Sequence, residues 1–254
     1  MILAVDAGNS NIVLGCLEEL TVRRTVRLIT DRSMDAAGYT AAIKAALAQA
    51  DCPAGSFQGA ILSSVVAAVT EPLRQALAAL ITGPVLVVGE TARTAIPIRI
   101  DHPETLGADM IAAAEGALAK YKPPLVLIDM GTATTLSVLD ETGAFLGGAI
   151  VPGVHLSAEA LSQRTGLPLP ELTAPESALS HSTEDCLRSG IVLGAAAMVD
   201  GMLDRLEASL GAPVTAVATG GLAGSVIPHC RRPVILDDAL LLQGLAVMYR
   251  RETK

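Results

Sequence analysis

The chain has 254 residues, of which 51% are hydrophobic and 17% are charged, and its formal net charge is −8 at pH 7. This composition provides ample apolar material for a core and excludes a disordered chain. An acidic chain without a basic block is not expected to bind nucleic acid, because neutralisation of phosphates dominates that affinity. Binding of a single nucleotide is not excluded, since a few backbone N–H groups can supply its donors.

Cysteine usage and hydropathy indicate the compartment. The cysteines are scattered and form no CxxC pair, so we expect reduced thiols in a cytoplasmic protein; they are Cys16, Cys52, Cys186 and Cys230. No basic region precedes a long apolar stretch at the N-terminus, so no signal peptide is expected. Two long uncharged stretches, 142–158 and 211–230, are interrupted by glycine and proline. We therefore predict no transmembrane segment.

The first half of the chain predicts alternating strands and helices. In chain order they are strands at 2–5, 12–17 and 21–29, a helix at 34–50, a strand at 60–65, a helix to about 80, a strand at 84–88 and a helix at 110–120. The strand at 21–29 alternates charged and apolar side chains. Thr70 is predicted to be the N-cap of the helix that ends near 80, with Pro72 in its first turn.

The second half predicts a similar succession. The elements are strands at 125–128, 135–139 and 144–151, a long helical region at about 184–210, strands at 215–218 and 233–236, and a terminal helix through about 251. Ser182 and Asp185 have the spacing of a capping box at the start of the long helical region. Strands that alternate with helices indicate the α/β class.

The second half also repeats the beginning of the first. A shift of 123 positions places Asp6 on Asp129 and Gly8 on Gly131, so DAGNSN overlays DMGTAT, each between two apolar strands. Such a duplication predicts two domains of similar topology.

Both Asp-x-Gly loops are candidate phosphate sites. A glycine hairpin after a strand can place backbone N–H groups around a phosphate, whereas the aspartate would hold Mg²⁺ or accept a proton. An ordinary hairpin with an Asx turn is the alternative for either loop alone. The matching pair, together with a third glycine turn, favours phosphate binding. The candidate nucleotide-binding residues are Asp6, Gly8, Asn9, Ser10, Asn11, Gly131, Thr132, Thr134, Gly220 and Gly221.

Asp109 allows two interpretations. It follows Gly107 closely and opens the helix predicted at 110–120. It is either a helix-capping or first-turn aspartate, which favours the helix dipole, or a general base that orients and deprotonates an acceptor hydroxyl. Its place between the two halves of the sequence fits an interdomain cleft.

Taken together, these motifs resemble the type III pantothenate kinases of the actin–hexokinase superfamily. The matching segments are DAGNSN at 6–11, SSVV at 63–66, HPETLGAD at 102–109, DMGTATT at 129–135, GGAIVPG at 147–153, the segment 182–190 and TGG at 219–221. The resemblance implies an α/β fold of duplicated actin-like (ribonuclease H-like) domains with an interdomain cleft. We expect the domains at residues 1–108 and 109–254.

The resemblance also implies an activity. It is ATP-dependent phosphorylation of the hydroxyl of pantothenate, the first step of coenzyme A biosynthesis, by a cytoplasmic homodimer that uses Mg²⁺ and a monovalent cation, K⁺ or NH₄⁺. The positions matched are Asp6 (metal and phosphate), Asn9, Ser10, Thr132 and Thr134 (phosphate side), Asp109 (catalytic base), Asp129 (monovalent cation), and Gly107 and Thr183 (pantothenate, Thr183 from the partner subunit).

Two positions depart from the family pattern. Met110 stands where the family usually has arginine, and Ile100 where it usually has tyrosine. Methionine cannot make a charge-assisted bidentate bond to a carboxylate, and loss of such a pair costs about 2–5 kcal/mol. Arg99 is one candidate replacement. Three hypotheses follow: a pantothenate kinase, a paralogous kinase for another small alcohol, or a nucleotide-binding regulator without turnover. Retention of Asp6, Asp109 and Asp129 argues against the regulator.

Overall fold

The computed structural model describes all residues, 1–254. The strands are β1 (Ile2–Ala7), β2 (Asn11–Glu18), β3 (Thr21–Ile29), β4 (Ala60–Ser64), β5 (Val85–Val87), β6 (Leu125–Met130), β7 (Ala133–Leu139), β8 (Phe145–Pro152), β9 (Thr215–Thr219) and β10 (Ile235–Leu236). The helices are α1 (Ala36–Gln49), α2 (Ala67–Leu80), α3 (Ala108–Leu118), α4 (Val154–Thr165), α5 (Thr183–Arg188), α6 (Gly194–Leu210), α7 (Ala223–Val226) and α8 (Leu240–Glu252).

The chain divides into two compact units. The first contains Met1–Pro97, Asp101–Lys120 and Ala239–Lys254, and the second contains Ile98–Ile100 and Tyr121–Asp238. These units differ from the continuous halves 1–108 and 109–254 expected from the sequence, because α3 and the C-terminal helix α8 pack together in the first unit. Their backbones approach so closely that a Cβ on Gly116 would lie 2.1 Å from the carbonyl oxygen of Leu240.

Each unit contains one five-stranded mixed sheet, and the two sheets have the same topology. The strand order is β3-β2-β1-β4-β5 in the first sheet and β8-β7-β6-β9-β10 in the second. In each, the three-strand meander is antiparallel, and the two remaining strands continue parallel to its first strand. The duplication predicted from the two aspartate loops is therefore confirmed.

Helices cover both faces of the first sheet. Residues of α1 and α2 form one core with alternate residues of β1, including Leu3 and Val5. Residues of α3 and α8 pack on the opposite face, with Ile2 and Ala4. The alternation of β1 between two apolar cores explains why its sequence is almost continuously hydrophobic.

The start of α2 differs from the prediction. Its N-cap is Val66, one turn before Thr70. Thr70 lies inside the helix, where its hydroxyl donates to the carbonyl oxygen of Val66 at 3.1 Å and to Ser64 Oγ at 2.8 Å. The prediction that Thr70 caps this helix is therefore wrong: its hydroxyl bonds backward to the preceding turn, as threonine does within helices.

The second unit has its main core where α6 packs on the sheet. Val126 and Ile128 of β6 share a buried cluster with Val199 and Leu203 of α6. The predicted N-cap of this region is confirmed, because Ser182 Oγ accepts from the backbone N–H of Asp185 at 3.1 Å, whereas the Asp185 carboxylate accepts from the Ser182 hydroxyl at 2.9 Å and not from its backbone N–H as in a full capping box. Helix α4 was not predicted; its N-cap is a glycine without a capping side chain.

The helical region Thr183–Leu210 includes α5, a π-helical turn (Ser189–Leu193) and α6. It has 28 residues, its most apolar window has a mean hydropathy of 1.4, and 28% of that window is buried. By length and composition it could cross a membrane, which for a single helix is weak evidence. The uncharged stretches 142–158 and 211–230 form strands joined to other elements, so neither is one continuous helix.

Candidate functional site

The loop after β1, residues 8–10, is a tight hairpin turn that leads into Asn11, the first residue of β2. The backbone N–H of Gly8 donates to the carbonyl oxygen of Asn11 at 3.0 Å. Asn9, Ser10 and Asn11 are exposed, as expected for residues that contact a ligand. Thr30, which follows β3, fixes the loop from the other side: its N–H donates to Ser10 at 3.1 Å, and its hydroxyl donates to the carbonyl of Gly8 at 2.7 Å.

Asp6 lies near the end of β1, immediately before this loop. It is paired with Val13 of β2 and with Ser63 of β4. The buried hydroxyl of Ser63 donates to Asp6 Oδ1 at 3.0 Å and so orients the carboxylate. Ser63 belongs to the SSVV motif, whose sequence alone indicated no role for it. The position of a hydroxyl in the parallel strand beside β1 could have indicated one.

Asp109 is the second residue of α3, whose N-cap is Gly107. Its Oδ1 accepts the backbone N–H of Met110 at 2.7 Å. Burial raises the pKa of the Asp109 carboxyl above its ordinary value of 3.8, while the backbone N–H groups of Met110 and of Asp109 itself act in the opposite direction. The first-turn position is thus confirmed. A half-buried carboxylate of raised pKa is also a stronger base than an exposed one.

Gly107 gives the Asp109 carboxylate its space. A Cβ on Gly107 would lie 2.4 Å from Asp109 Oδ1 and 3.5 Å from Val65 Cγ1. Any larger residue would therefore push the carboxylate away from its present position. Glycine is required here because the carboxylate lies so close to the backbone of residue 107.

The second loop, residues 131–132, repeats the first. The N–H of Gly131 donates to the carbonyl oxygen of Ala133 at 3.1 Å. Asp129, near the end of β6, is paired in parallel with Thr219 of β9, as Asp6 is with Ser63 in the first unit. Gly220 follows Thr219 with φ +99°, and a Cβ there would lie 2.6 Å from Asp129 Oδ1. The third glycine turn therefore lies directly against Asp129, and Gly221, next to it, is exposed.

The two threonines predicted in the second loop have different environments. Thr132 is exposed, and its carbonyl oxygen accepts the N–H of Gly153 at 3.1 Å. Thr134 shares one face of β7 with the core residue Leu136, and its Oγ1 is buried without a hydrogen-bond partner. This burial favours Thr132 over Thr134 as a donor to a ligand. Gly153, the last residue of the GGAIVPG segment, lies so close to this loop that a Cβ there would be 2.3 Å from the Thr132 carbonyl oxygen.

The positions expected near the acceptor lie in different units. Thr183 is exposed in the first turn of α5, and Ser182, not Thr183, is the N-cap. Ile100 belongs to the second unit and Met110 to the first. Arg99 forms an ion pair with Asp140 at 3.0 Å. The guanidinium proposed to replace the missing family arginine is therefore engaged with a carboxylate.

The chain contains no group of three or more His, Cys, Asp or Glu side chains that could hold a metal ion. A cation at Asp6 or Asp129 would thus take the rest of its coordination from other oxygens, such as backbone carbonyls, water or substrate. Mg²⁺ fits this description, because it commonly binds through one or two carboxylates together with substrate phosphates.

Comparisons with known proteins cover the whole chain. The family model described as type III pantothenate kinase matches residues 2–205. A type III pantothenate kinase from Exiguobacterium sibiricum is 36% identical over 252 residues, 99% of each chain. One from Moorella thermoacetica is 35% identical over 254 residues, 100% of each chain.

Solved structures similar to this chain share its fold at low identity. A Campylobacter jejuni protein assigned to the Baf family of transcriptional activators has a TM-score of 0.65 at 17% identity, covering 99% of this chain and 98% of that one. Component A of (R)-2-hydroxyglutaryl-CoA dehydratase from Acidaminococcus fermentans has a TM-score of 0.56 at 14% identity, covering 100% and 99%. The fold is that of actin-like ATPases and sugar kinases, as predicted.

Proposed function

This chain belongs to the type III pantothenate kinase family, and on that premise we propose that it transfers the terminal phosphoryl group of ATP to the hydroxyl of pantothenate, the first step of coenzyme A biosynthesis. The observation that carries the assignment is the half-buried carboxylate of Asp109 at the start of α3, in a chain that matches its relatives from end to end.

Asp109 is proposed to be the general base. Its carboxylate would accept the proton of the pantothenate hydroxyl as that oxygen attacks the terminal phosphorus of ATP. Two features support this role: burial raises the pKa of Asp109, and the N–H of Met110 fixes one carboxylate oxygen. A base of fixed orientation and raised pKa needs little reorganisation during proton transfer.

The two loops are proposed to bind the phosphates of ATP. Exposed polar groups of Asn9, Ser10 and Thr132, and the backbone around Gly8 and Gly131, are the donors. Such loops position phosphate groups and stabilise their charge without covalent chemistry, as phosphoryl transfer requires.

We further propose that Asp6 contacts Mg²⁺ and that Asp129 contacts the monovalent cation, K⁺ or NH₄⁺. The divalent ion supplies charge neutralisation at the phosphate oxygens. Ser63 keeps the Asp6 carboxylate oriented for this contact. At Asp129, the absence of a side chain on Gly220 leaves space beside Oδ1.

A homodimer is proposed as the functional form, with Thr183 as a contact from the partner subunit. The long apolar helical region is little buried within one chain. Leu179, just before α5, is 75% exposed. Covering such apolar surface is a common reason for subunits to associate. The four cysteines are free, which supports the proposed cytoplasmic location.

Met110 favours a second candidate function. Because the family arginine is absent there and Arg99 pairs with Asp140, the acceptor site has lost one expected contact for a carboxylate. A paralogous kinase that phosphorylates a less anionic alcohol is therefore the alternative.

A coupled assay of ADP formation separates the candidates. Pantothenate and pantothenol, its uncharged alcohol analogue, would be compared at equal concentrations with saturating ATP. We expect turnover with pantothenate. Turnover with pantothenol alone would favour the paralogous kinase, and ATP binding without turnover on any pantothenate-like alcohol would favour the regulator.

A further inference from the structure

Arg27 of β3 lies in the same row of the first sheet as Asp6. Asp6 is paired with Val13, and Val13 is paired with Arg27. Directly paired residues of neighbouring strands point to the same face, so the side chains of Asp6 and Arg27 share a face with Val13 between them. Two strand spacings place their Cα atoms about 10 Å apart.

This face is the one on which α3 packs. Along β1, Ile2 and Ala4 alternate in step with Asp6 and belong to the core that includes Ala112 of α3. Arg27 therefore projects from the face that Asp6 and the helix of Asp109 share. The alternating charges of β3 predicted a strand, but the sequence alone did not indicate that one of them lies in the row of Asp6.

The end of β3 is attached to the first loop. Thr30 donates to Ser10 at 3.1 Å through its N–H and to Gly8 at 2.7 Å through its hydroxyl. Ile29 is paired with Asn11, yet its side chain is 81% exposed. The position of Arg27 is thus fixed relative to the loop, while this end of the face is left uncovered by other parts of the unit.

Among the arginines of β3 and the segment just after it, Arg27 is the one whose guanidinium makes no hydrogen bond or ion pair. Arg23 pairs with Glu18 at 2.6 Å. Arg24 donates to the carbonyl oxygen of Arg23 at 3.0 Å, and Arg32 donates to Asn9 Oδ1 at 3.0 Å. Arg27 is exposed and makes no hydrogen bond or ion pair within the chain. A guanidinium presents a planar fork of donors that matches an oxyanion.

We propose that Arg27 is a nucleotide-binding residue, whose guanidinium donates to oxygens of the phosphate chain of ATP. An arginine side chain is long enough to reach across Val13 towards the ligand that the proposed function places at Asp6 and the first loop. The phosphate chain is favoured over the acceptor because the row of Arg27 contains Asp6, which lies beside the loop proposed to hold phosphates. The inference rests on that proposed function and adds a cationic contact to it.

Calorimetric titration with ATP and with adenosine tests this contact without an acceptor. The variants are Arg27→Gln and Arg27→Lys. Arg24→Gln is the matched control: it removes the same charge from the same strand, but Arg24 is paired with Cys16, whose side chain lies in the opposite core. We expect Arg27→Gln to weaken ATP binding about tenfold or more, as loss of a charge-assisted hydrogen bond does, and Arg27→Lys to weaken it less. Adenosine binding and the Arg24→Gln control should match wild type.

Unchanged ATP affinity in Arg27→Gln would overturn the proposal. So would a raised KM for pantothenate with unchanged ATP affinity, since it would assign Arg27 to the carboxylate of the acceptor. If the glutamine variant does not fold, Arg27→Met, which keeps the apolar stem, is judged by the same criterion. Because the titration contains no acceptor, failure of wild-type turnover on pantothenate would refute the proposed function and leave this test intact.

Discussion

The carboxylate of Asp109 occupies space that only a glycine at position 107 leaves open. A Cβ on Gly107 would lie 2.4 Å from Asp109 Oδ1, well inside van der Waals contact. Asp109 also bonds the N–H of Met110 at the start of α3. Gly107, the N-cap of α3, therefore also determines the position of the proposed base. Addition of a single methyl group at position 107 tests this relationship.

Gly107→Ala is expected to lower kcat by about tenfold to a hundredfold while leaving ATP affinity unchanged, because a displacement of about 1 Å at a catalytic group can cost this much. Steady-state kinetics with pantothenate and a nucleotide titration measure the two quantities. Gly55→Ala is the control, since a Cβ on Gly55 meets nothing within 4 Å. Equal loss of kcat in both variants would refute the steric explanation.

Burial of Asp109 should also affect stability as a function of pH. Its pKa is raised in the folded protein, so the native state retains this proton at pH values where the unfolded chain has lost it. The free energy of unfolding from this group therefore falls as pH rises from the unfolded value through the folded pKa, and the loss is complete above it.

Asp109→Asn removes this penalty. The variant should have a higher Tm than wild type at pH 7, and the difference should shrink as pH falls below the folded pKa. Thermal melts at several pH values measure it, with the exposed Asp101→Asn as control. A lower Tm for Asp109→Asn at pH 7 would contradict the proposed burial cost and would indicate that the ionised carboxylate stabilises the fold.

Gly220→Ala is expected to weaken nucleotide binding and to destabilise the second unit. Gly220 has φ +99°, and a Cβ there would lie 2.6 Å from both Asp129 Oδ1 and the backbone nitrogen of Met130. The strained backbone and the contact together should cost about 2–3 kcal/mol.

Gly211→Ala is its matched control. Gly211 also has positive φ, at the C-terminus of α6, but a Cβ there meets nothing within 4 Å. It should cost only the backbone strain, about 1 kcal/mol, with unchanged ATP affinity. Denaturant melts and nucleotide titration compare the two variants. An equal effect of both on ATP affinity would show that crowding at Asp129 is unimportant.

Arg251→Met should destabilise the first unit by about 2–4 kcal/mol, because it leaves the buried carboxylate of Glu115 without its cation. Glu115 is 6% exposed and pairs with Arg251 of α8 at 2.9 Å, so this pair joins α8 to the helix of Asp109. Denaturant unfolding measures the loss. The exposed pair of Arg74 and Glu71 provides the control, since Arg74→Met should cost less than about 1 kcal/mol. Similar losses in both variants would contradict a special role for the buried pair.

Local sequence patterns predicted those parts of the fold that are formed by residues close together in the sequence. The two aspartate loops and the meanders around them were predictable because each is a contiguous strand–turn–strand segment with its own glycine. Helix α4 was missed because it starts after Pro152 and Gly153 without a polar capping side chain. Thr70 lies at the end of the first turn of α2, not before it. It was predicted to be the N-cap because a threonine hydroxyl can either cap a helix or bond back to the preceding turn, and the sequence does not distinguish the two.

Tertiary contacts account for what could not be predicted. The position of α8 in the first unit depends on contacts between residues far apart in sequence, such as Gly116 with Leu240. The partner of Asp6 is Ser63, which comes from a parallel strand. The row that joins Asp6 to Arg27 depends on strand register, and the β-bulge between Cys16 and Leu17 interrupts that register. No local pattern specifies these relationships.

Asp109 is proposed above to be the general base of a pantothenate kinase. The most direct measurement is steady-state turnover of wild type and Asp109→Asn with saturating ATP and pantothenate, together with the ATP affinity of each. We predict that wild type phosphorylates pantothenate and that Asp109→Asn loses at least a hundredfold in kcat while it binds ATP as wild type does. Wild-type turnover by Asp109→Asn would contradict the claim.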